Sequence, residues 1–254
     1  MNDLTVSISL LAVIFCLVAF FYASVGLGGG SSYTALLAIF GASSIVIPMV
    51  SLTLNVLVTT IGSIAFLSKR HARLRLIAPF LLSSVPMAYL GGMLQLPKTL
   101  FYLVLLVSLT LAALRIYFPK ETKPLPLDEA GRFSLALGCG AVLGLVAGIA
   151  GIGGGVYLVP LILLIGLGTA KEAAACGTFF VWVNSVAGLA ARLQYNSLDL
   201  VPYIPLVVAA VVGGLAGSLV GAGRLGARSM QKILGTILMV AICILGKKIV
   251  VLYI

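Results

Sequence analysis

Long apolar runs separated by short polar segments extend through most of the chain. A helix of roughly 20 apolar residues, rising about 1.5 Å per residue, crosses a hydrocarbon core of about 30 Å. We therefore predict eight spanning helices, at residues 4–25, 45–67, 76–94, 99–117, 134–150, 172–191, 200–221 and 230–252. Two apolar segments, 31–42 and 156–167, are too short to cross and predict half-helices or re-entrant helices.

Each short segment follows a glycine cluster, and the two clusters match. Residues 26–30 have the sequence Gly-Leu-Gly-Gly-Gly, and residues 151–155, 125 positions later, have the sequence Gly-Ile-Gly-Gly-Gly. Pro79 and Pro205 are 126 positions apart, and an asparagine follows each cluster in the next helix. These landmarks predict two repeats, 1–118 and 134–254, joined by a linker at 119–133 into one transmembrane domain.

Composition places the whole chain in the bilayer. Hydrophobic residues make up 61% of the 254 positions and charged residues only 9%, whereas a soluble domain has roughly 25% charged residues. Backbone groups inside a bilayer must be hydrogen-bonded within the protein, and the segments lack the alternation of barrel strands. The predicted class is an all-α, multi-pass integral membrane protein whose first helix is retained.

The formal charge of +10 is dispersed over helix ends and short loops, so we predict no nucleic-acid partner. Loop 68–75 contains Lys69, Arg70, Arg73 and Arg75 and favours the cytoplasm. If the short segments turn back without crossing, we expect parallel halves with both termini cytoplasmic. If they cross, we expect inverted halves with both termini outside.

The residues that catalysis would need are absent from the predicted spans. No Asp or Glu lies near the middle of a span, and the only histidine, His71, lies in the basic loop. The four cysteines lie in apolar segments without a Cys-x-x-Cys pair and are expected to pack. We predict no enzyme activity, no cofactor and no metal site.

The glycine clusters are the best candidates for a ligand site. Glycine lets the chain leave helical geometry, and the first amides of the next helix are unpaired and carry partial positive charge. Ser31 and Ser32 are expected to serve as N-cap and donor residues, and Asn55 and Asn184 as amide donors at corresponding places in the two halves. We predict that an anion is bound by Gly28, Gly29, Gly30, Ser31, Ser32, Asn55, Gly153, Gly154, Gly155, Thr178 and Asn184.

Two alternatives remain at these positions: the glycines only allow close helix packing, and the asparagines only form interhelical hydrogen bonds. A separate pattern favours packing more strongly. Glycines recur every four residues at 140, 144 and 148 and again at 213, 217 and 221, on one helix face each.

The paired clusters resemble those of the TauE/SafE sulfite exporter family of bacterial permeases. The flanking residues Tyr22-Ala23-Ser24-Val25 and Gly148-Ile149-Ala150, and the downstream Asn55 and Asn184, fit that pattern across essentially the whole chain. The resemblance implies a bacterial inner-membrane permease for small sulfur-containing anions such as sulfite, sulfonates or sulfoacetate.

The expected mechanism is export by alternating access, with the small anion and the lipid bilayer as partners. A homo-oligomer is compatible with the sequence. An anion channel, or a structural membrane subunit without transport activity, is the alternative function.

Overall fold

The computed structural model describes residues 8–68, 73–94, 96–117, 128–165 and 167–221, together with residues 236, 239, 242, 243, 246 and 247. Within this part of the chain the structure is all-helical. The helices are α1 Ile8–Ser24, α2 Gly30–Ile39, α3 Val46–Ser68, α4 Leu74–Met93, α5 Lys98–Tyr117, α6 Glu129–Ala150, α7 Gly155–Ile165, α8 Ala170–Leu193 and α9 Ile204–Gly221. A short 3-10 turn, Val201–Tyr203, precedes α9.

Five of these helices are long and apolar enough to span a membrane. They contain the segments Val46–Ile64, Arg75–Met93, Glu129–Ala150, Lys171–Leu193 and Val201–Val220. Ile8–Ser24 and Lys98–Leu111 are apolar but shorter. The eighth predicted span, 230–252, lies outside the described residues except for a few isolated positions, and the eight-span count stays a prediction.

Local capping sets two helix starts. Thr169 and Glu172 form a capping box at the start of α8, in which each side chain bonds to the other residue's backbone amide. Asp128 accepts a hydrogen bond from the Gly131 amide (3.0 Å) and starts α6 at Glu129, inside the segment predicted as a linker.

Closely spaced glycines join two pairs of helices. On α6, Gly140, Gly144 and Gly148 lie against the backbone of α4, at successive turns. On α9, Gly213 and Gly217 lie against the backbone of α1. A β-carbon at any of these five positions would overlap a neighbouring main chain, so the predicted packing role is confirmed for them.

Contacts along the helices give their relative directions. Gly62 of α3 lies against Thr178 of α8, and Leu52 lies against Gly188, so α3 and α8 are antiparallel. α4 runs parallel to α6, as the successive glycine contacts show. It also runs parallel to α8, because the Arg73 carbonyl lies near Cys176 and Gly92 lies against Gly188.

The short helix α7 runs back along its neighbours. Gly155 at its start lies against Val181, and Val159 one turn later lies against Gly177, so α7 is antiparallel to α8 and hence to α6. The chain therefore reverses direction between α6 and α7. These directions are those expected if the short segments cross; in the arrangement with parallel halves, α3 and α8 would run in the same direction.

Candidate functional site

Two buried segments interrupt the helices, and we call them the first break (residues 25–29) and the second break (residues 151–154). Both leave the preceding helix through a left-handed glycine: φ is 77° at Gly26 and 71° at Gly151. The next amide donates to a carbonyl five residues back, at 2.9 Å for Leu27 and 3.2 Å for Ile152. This Schellman-type ending requires glycine, because side chains rarely tolerate positive φ.

Both breaks also enter the following helix in the same way. Gly29 and Gly154 have φ of 91° and 80°. Their carbonyls accept from the amides of Ser32 (3.0 Å) and Tyr157 (3.2 Å), which begins the helical hydrogen bonds. The two clusters therefore specify the same exit and the same entry twice, but they differ in between, where Gly153 has φ of 80° and the matching Gly28 has no positive φ.

The first amides of both short helices are buried and unpaired. The N–H groups of Gly30 and Ser31 in α2, and of Gly155 and Val156 in α7, donate to no acceptor within the described part of the chain. The two helix starts approach the opposite breaks reciprocally, since Gly30 lies against Ile152 and Gly155 lies against Leu27. Buried free N–H groups at helix N-termini favour an anion.

Each break is hydrogen-bonded by a helix of the other half. Ser51 of α3 donates to the Gly151 carbonyl at 2.8 Å, and Thr178 of α8 donates to the Gly26 carbonyl at 2.6 Å. Ser51 also lies 3.1 Å from the Gly30 carbonyl, so one hydroxyl contacts both the second break and the start of α2. The carbonyls of Gly26 and Gly151, which the breaks leave without helical partners, are thus hydrogen-bonded inside the protein.

Asn55 lies where the two breaks meet. Its Nδ2 donates to the Ile152 carbonyl at 3.2 Å, and its side chain lies against Gly28, Gly30 and Gly153. A β-carbon at any of these three glycines would overlap the Asn55 amide. Glycine at these positions therefore makes room for a polar side chain inside the fold.

The predicted equivalence of Asn55 and Asn184 is wrong. A shift of 126 positions takes Leu52 to Thr178 and Gly62 to Gly188, so it converts the contact Leu52–Gly188 into the contact Gly62–Thr178. The same shift relates Asn55 to Val181. Val181 does lie with Asn55 between Gly28 and Gly153. Asn184 comes three residues later, almost one helical turn, and its Nδ2 donates to the Phe180 carbonyl of its own helix (2.8 Å).

The capping role predicted for Ser31 and Ser32 is also wrong. Gly29 is the N-cap of α2, and no side chain caps it. Both serines lie within the first turn of α2, where their hydroxyls meet the Tyr22 hydroxyl at 2.7 Å for Ser31 and 2.9 Å for Ser32. The amide of Ser31 nevertheless remains one of the four free donors.

The remaining predicted residues separate into two groups. Thr178 reaches the first break through Gly26, as described above. Gly29 and Gly154 lie against the aromatic rings of Tyr33 and Phe180 respectively, and their contact with an anion stays a prediction.

Sequence reasoning missed Ser51, Val181 and Ser185. The Ser185 hydroxyl is buried, lies beside Gly153, and has no hydrogen-bond partner. Asn55 Oδ1 is likewise buried without a partner. Their only signal in the sequence is position: Ser51 lies one turn before Asn55, and Ser185 lies one turn after Val181. Unsatisfied buried polar atoms require an explanation, and a bound polar solute would supply one.

Arg192 was missed as well. This arginine of α8 is 6% exposed, and its Nη2 donates to the carbonyls of Gly148 and Ile149, both at 2.8 Å. It therefore places positive charge at the C-terminal end of α6, directly before the second break, where the helix dipole favours a cation.

Comparison with known proteins defines the family. The family model described as "Sulfite exporter TauE/SafE" matches residues 11–245. The chain belongs to the TauE/SafE family. A relative from Sinorhizobium fredii (strain NBRC 101917 / NGR234), named "Probable membrane transporter protein y4hK", is 36% identical over 236 residues, covering 91% of this chain and 95% of its own. No solved structure is a significant match.

Membership confirms the resemblance seen in the glycine clusters. TauE/SafE proteins are membrane transporters, which agrees with the apolar helices long enough to span a bilayer. Among the described residues, no group of three His, Cys, Asp or Glu side chains could hold a metal ion. The groups described at the breaks are backbone amides, hydroxyls and the Asn55 amide, with the Arg192 guanidinium directly before the second break.

Proposed function

We propose that this TauE/SafE protein is a permease that carries a small sulfur-containing anion across the bacterial inner membrane. Its site would lie between the two breaks. The observation that carries this proposal is the pair of short helices, each of which starts against the opposite break with two buried, unpaired amides. Four such N–H groups and the free Ser185 hydroxyl favour an oxyanion such as sulfite or a sulfonate.

We further propose that the halves are inverted repeats. This is supported by the antiparallel α3 and α8 and by contacts that recur at a shift of about 126 positions. Positive charge in loop 68–75 assigns the end where α4 begins to the cytoplasm. Because α8 runs parallel to α4, it would end outside, where α9 begins. α1 runs parallel to α9, so the N-terminal end of α1 would lie outside as well.

Membrane potential is the simplest driving force in this proposal. No Asp or Glu lies near the middle of a predicted span to bind a coupling ion, and the charged side chain described beside the breaks, Arg192, is a cation. An inside-negative potential favours anion exit by about 2.3 kcal/mol per charge per 100 mV. We infer export by alternating access, in which the two halves rearrange around the breaks.

Reconstituted protein tests this function directly. Liposomes loaded with sulfite should release it faster when valinomycin sets an inside-negative potential, and the rate should saturate with concentration. Strict dependence on a pH gradient would contradict potential-driven export. Non-saturating flux would indicate a channel.

A matched pair of serine variants tests the site. Ser185→Ala removes a free hydroxyl at the breaks and should reduce sulfite flux by about tenfold, the effect of one lost bond to an anion. Ser84→Ala removes another buried, unpartnered hydroxyl on α4, where its backbone packs against Gly144, and should leave flux unchanged. Equal flux in both variants would place the anion elsewhere.

A further inference from the structure

A separate cavity lies where α4 and α6 begin, at the end of the helix bundle opposite to Arg192. Its volume is about 580 Å³. It is lined by Arg73, Arg75, Leu76, Pro79, Phe80, Glu129, Ala130, Arg132, Phe133, Ala136 and Leu167. Pockets of roughly 300–1,000 Å³ are typical of sites for small organic molecules, so the cavity is large for an inorganic anion alone.

The cavity carries excess positive charge. Three arginines line it, at positions 73, 75 and 132, against one carboxylate, Glu129. Arg73 already forms an ion pair with Glu172 at 3.3 Å. Arg75 and Arg132 are exposed and have no carboxylate within 4.0 Å in the described part of the chain. Two guanidinium groups are therefore free to bind an oxyanion, for which their planar geometry is suited.

The remaining wall is apolar. Phe80 and Ala136 are buried and belong to one hydrophobic cluster, and Leu76 and Leu167 pack against it. A ligand that satisfied the arginines and this wall together would combine an anionic head with an apolar body.

We propose that this cavity binds amphiphilic oxyanions, in which a sulfonate or phosphate group is attached to a hydrocarbon portion. Two sources share that chemistry: a soluble organic sulfonate and the headgroup region of an anionic phospholipid. Arg75 and Arg132 bind the oxyanion, and the apolar wall accepts the hydrocarbon portion.

Binding to the purified full-length protein tests this site without measuring transport, so the test is independent of the proposed function. Native mass spectrometry would compare phosphatidylglycerol with phosphatidylcholine of the same acyl chains. Calorimetry would measure pentanesulfonate against pentanol. We expect phosphatidylglycerol, pentanesulfonate or both to bind at least tenfold more tightly than the matched compound whose head has no net charge.

Variants locate the binding. Arg75→Gln combined with Arg132→Gln should weaken binding of the preferred ligand by about tenfold or more. Glu129→Gln removes the lining carboxylate and should strengthen it. Lys171→Gln is the matched control, because Lys171 is exposed at the start of α8 and does not line the cavity. Thermal unfolding should show that all variants remain folded.

The two ligands distinguish the source. Tight phosphatidylglycerol binding that pentanesulfonate does not displace assigns the site to lipid, and displacement assigns it to soluble sulfonates. No preference for either anionic compound would overturn the proposal. An equal loss in Lys171→Gln and in the double arginine variant would also overturn it, since nonspecific surface charge would then explain the binding.

Discussion

The two breaks share the left-handed glycines at which they begin and end, but they differ at Gly28 and Gly153 and in the side chains around them. In the first break, the hydroxyl of Tyr22 meets those of Ser31 and Ser32. The corresponding positions of the second break, 125 residues later, are Ala147, Val156 and Tyr157. Tyr157 directs its hydroxyl to the Ser108 carbonyl (2.5 Å) on α5 instead.

The helices behind the breaks differ in the same manner. Asn55 of α3 corresponds to Val181 of α8, and these two side chains lie together between Gly28 and Gly153. Arg192 stabilises the helix end before the second break alone, because the position 126 residues earlier is Phe66. The left-handed glycines at the two ends are thus common to both breaks, whereas the polarity of the surrounding side chains is not. A site of this kind suits one asymmetrically bound ligand better than two equivalent ligands.

The shared backbone predicts the largest effects, and they should be equal. Gly26→Ala and Gly151→Ala each force a side chain into positive φ and into contact with Ala174 or Pro48. Left-handed strain of roughly 1–2 kcal/mol and overpacking of roughly 1–3 kcal/mol should lower the free energy of unfolding by about 2–5 kcal/mol.

Thermal unfolding in detergent measures this loss. Gly138→Ala is the control, since no atom lies within 4 Å of its added β-carbon, and it should stabilise α6 by about 0.5–1 kcal/mol. Strongly unequal losses at Gly26 and Gly151 would show that the breaks are not structurally equivalent.

The side-chain difference predicts the next largest effects. Asn55→Ala leaves the Ile152 carbonyl unpaired and should cost about 1–3 kcal/mol and most of the transport activity. Asn184→Ala removes a bond within α8 and a buried Oδ1 that has no partner, and it should retain activity within about twofold, since such local bonds contribute little to helix stability. Sulfite flux per folded protein distinguishes them, and equal losses would restore the equivalence of the two asparagines.

The reciprocal hydrogen bonds predict smaller effects that are coupled. Ser51→Ala and Thr178→Val should each lower the free energy of unfolding by about 1 kcal/mol. Because the two bonds stabilise breaks that contact each other, a double-mutant cycle should give a coupling of at least about 0.5 kcal/mol. Strict additivity would mean that the breaks respond independently.

The tyrosine hydroxyls should affect transport differently in the two breaks. Tyr157→Phe removes one buried hydrogen bond and should cost about 0.5–1.5 kcal/mol, whereas Tyr22→Phe removes the bonds to both Ser31 and Ser32 and should cost somewhat more. Their effects on transport should differ, because Tyr22 contacts the serines at the start of α2 and Tyr157 contacts α5. A raised KM for sulfite in Tyr22→Phe alone is the expected result; the same KM change in both variants would contradict it.

Helix positions were largely predictable because their causes are local. The apolar runs located the described spans to within a few residues, apart from α6, which the Asp128 cap starts earlier. The glycine clusters located both breaks, since positive φ is a property of single residues.

The site was only partly predictable. Gly28, Gly30, Gly153, Gly155, Asn55 and Thr178 do meet at the breaks. The sequence analysis paired the two asparagines, whose offset is 129 against 126 for the flanking prolines and glycines. A difference of three residues is almost one turn, which changes what a side chain contacts but hardly changes a hydrophobic pattern.

By itself, the sequence determined the membrane class, the family, the described helices and the two breaks, because each depends on composition or on the conformational limits of neighbouring residues. Only the tertiary structure decided that α3 and α8 are antiparallel and that Asn55 faces Val181. It also decided that Ser51 and Thr178 satisfy carbonyls of the opposite half. Those contacts depend on the register between helices more than 100 residues apart in the chain, which no local preference specifies.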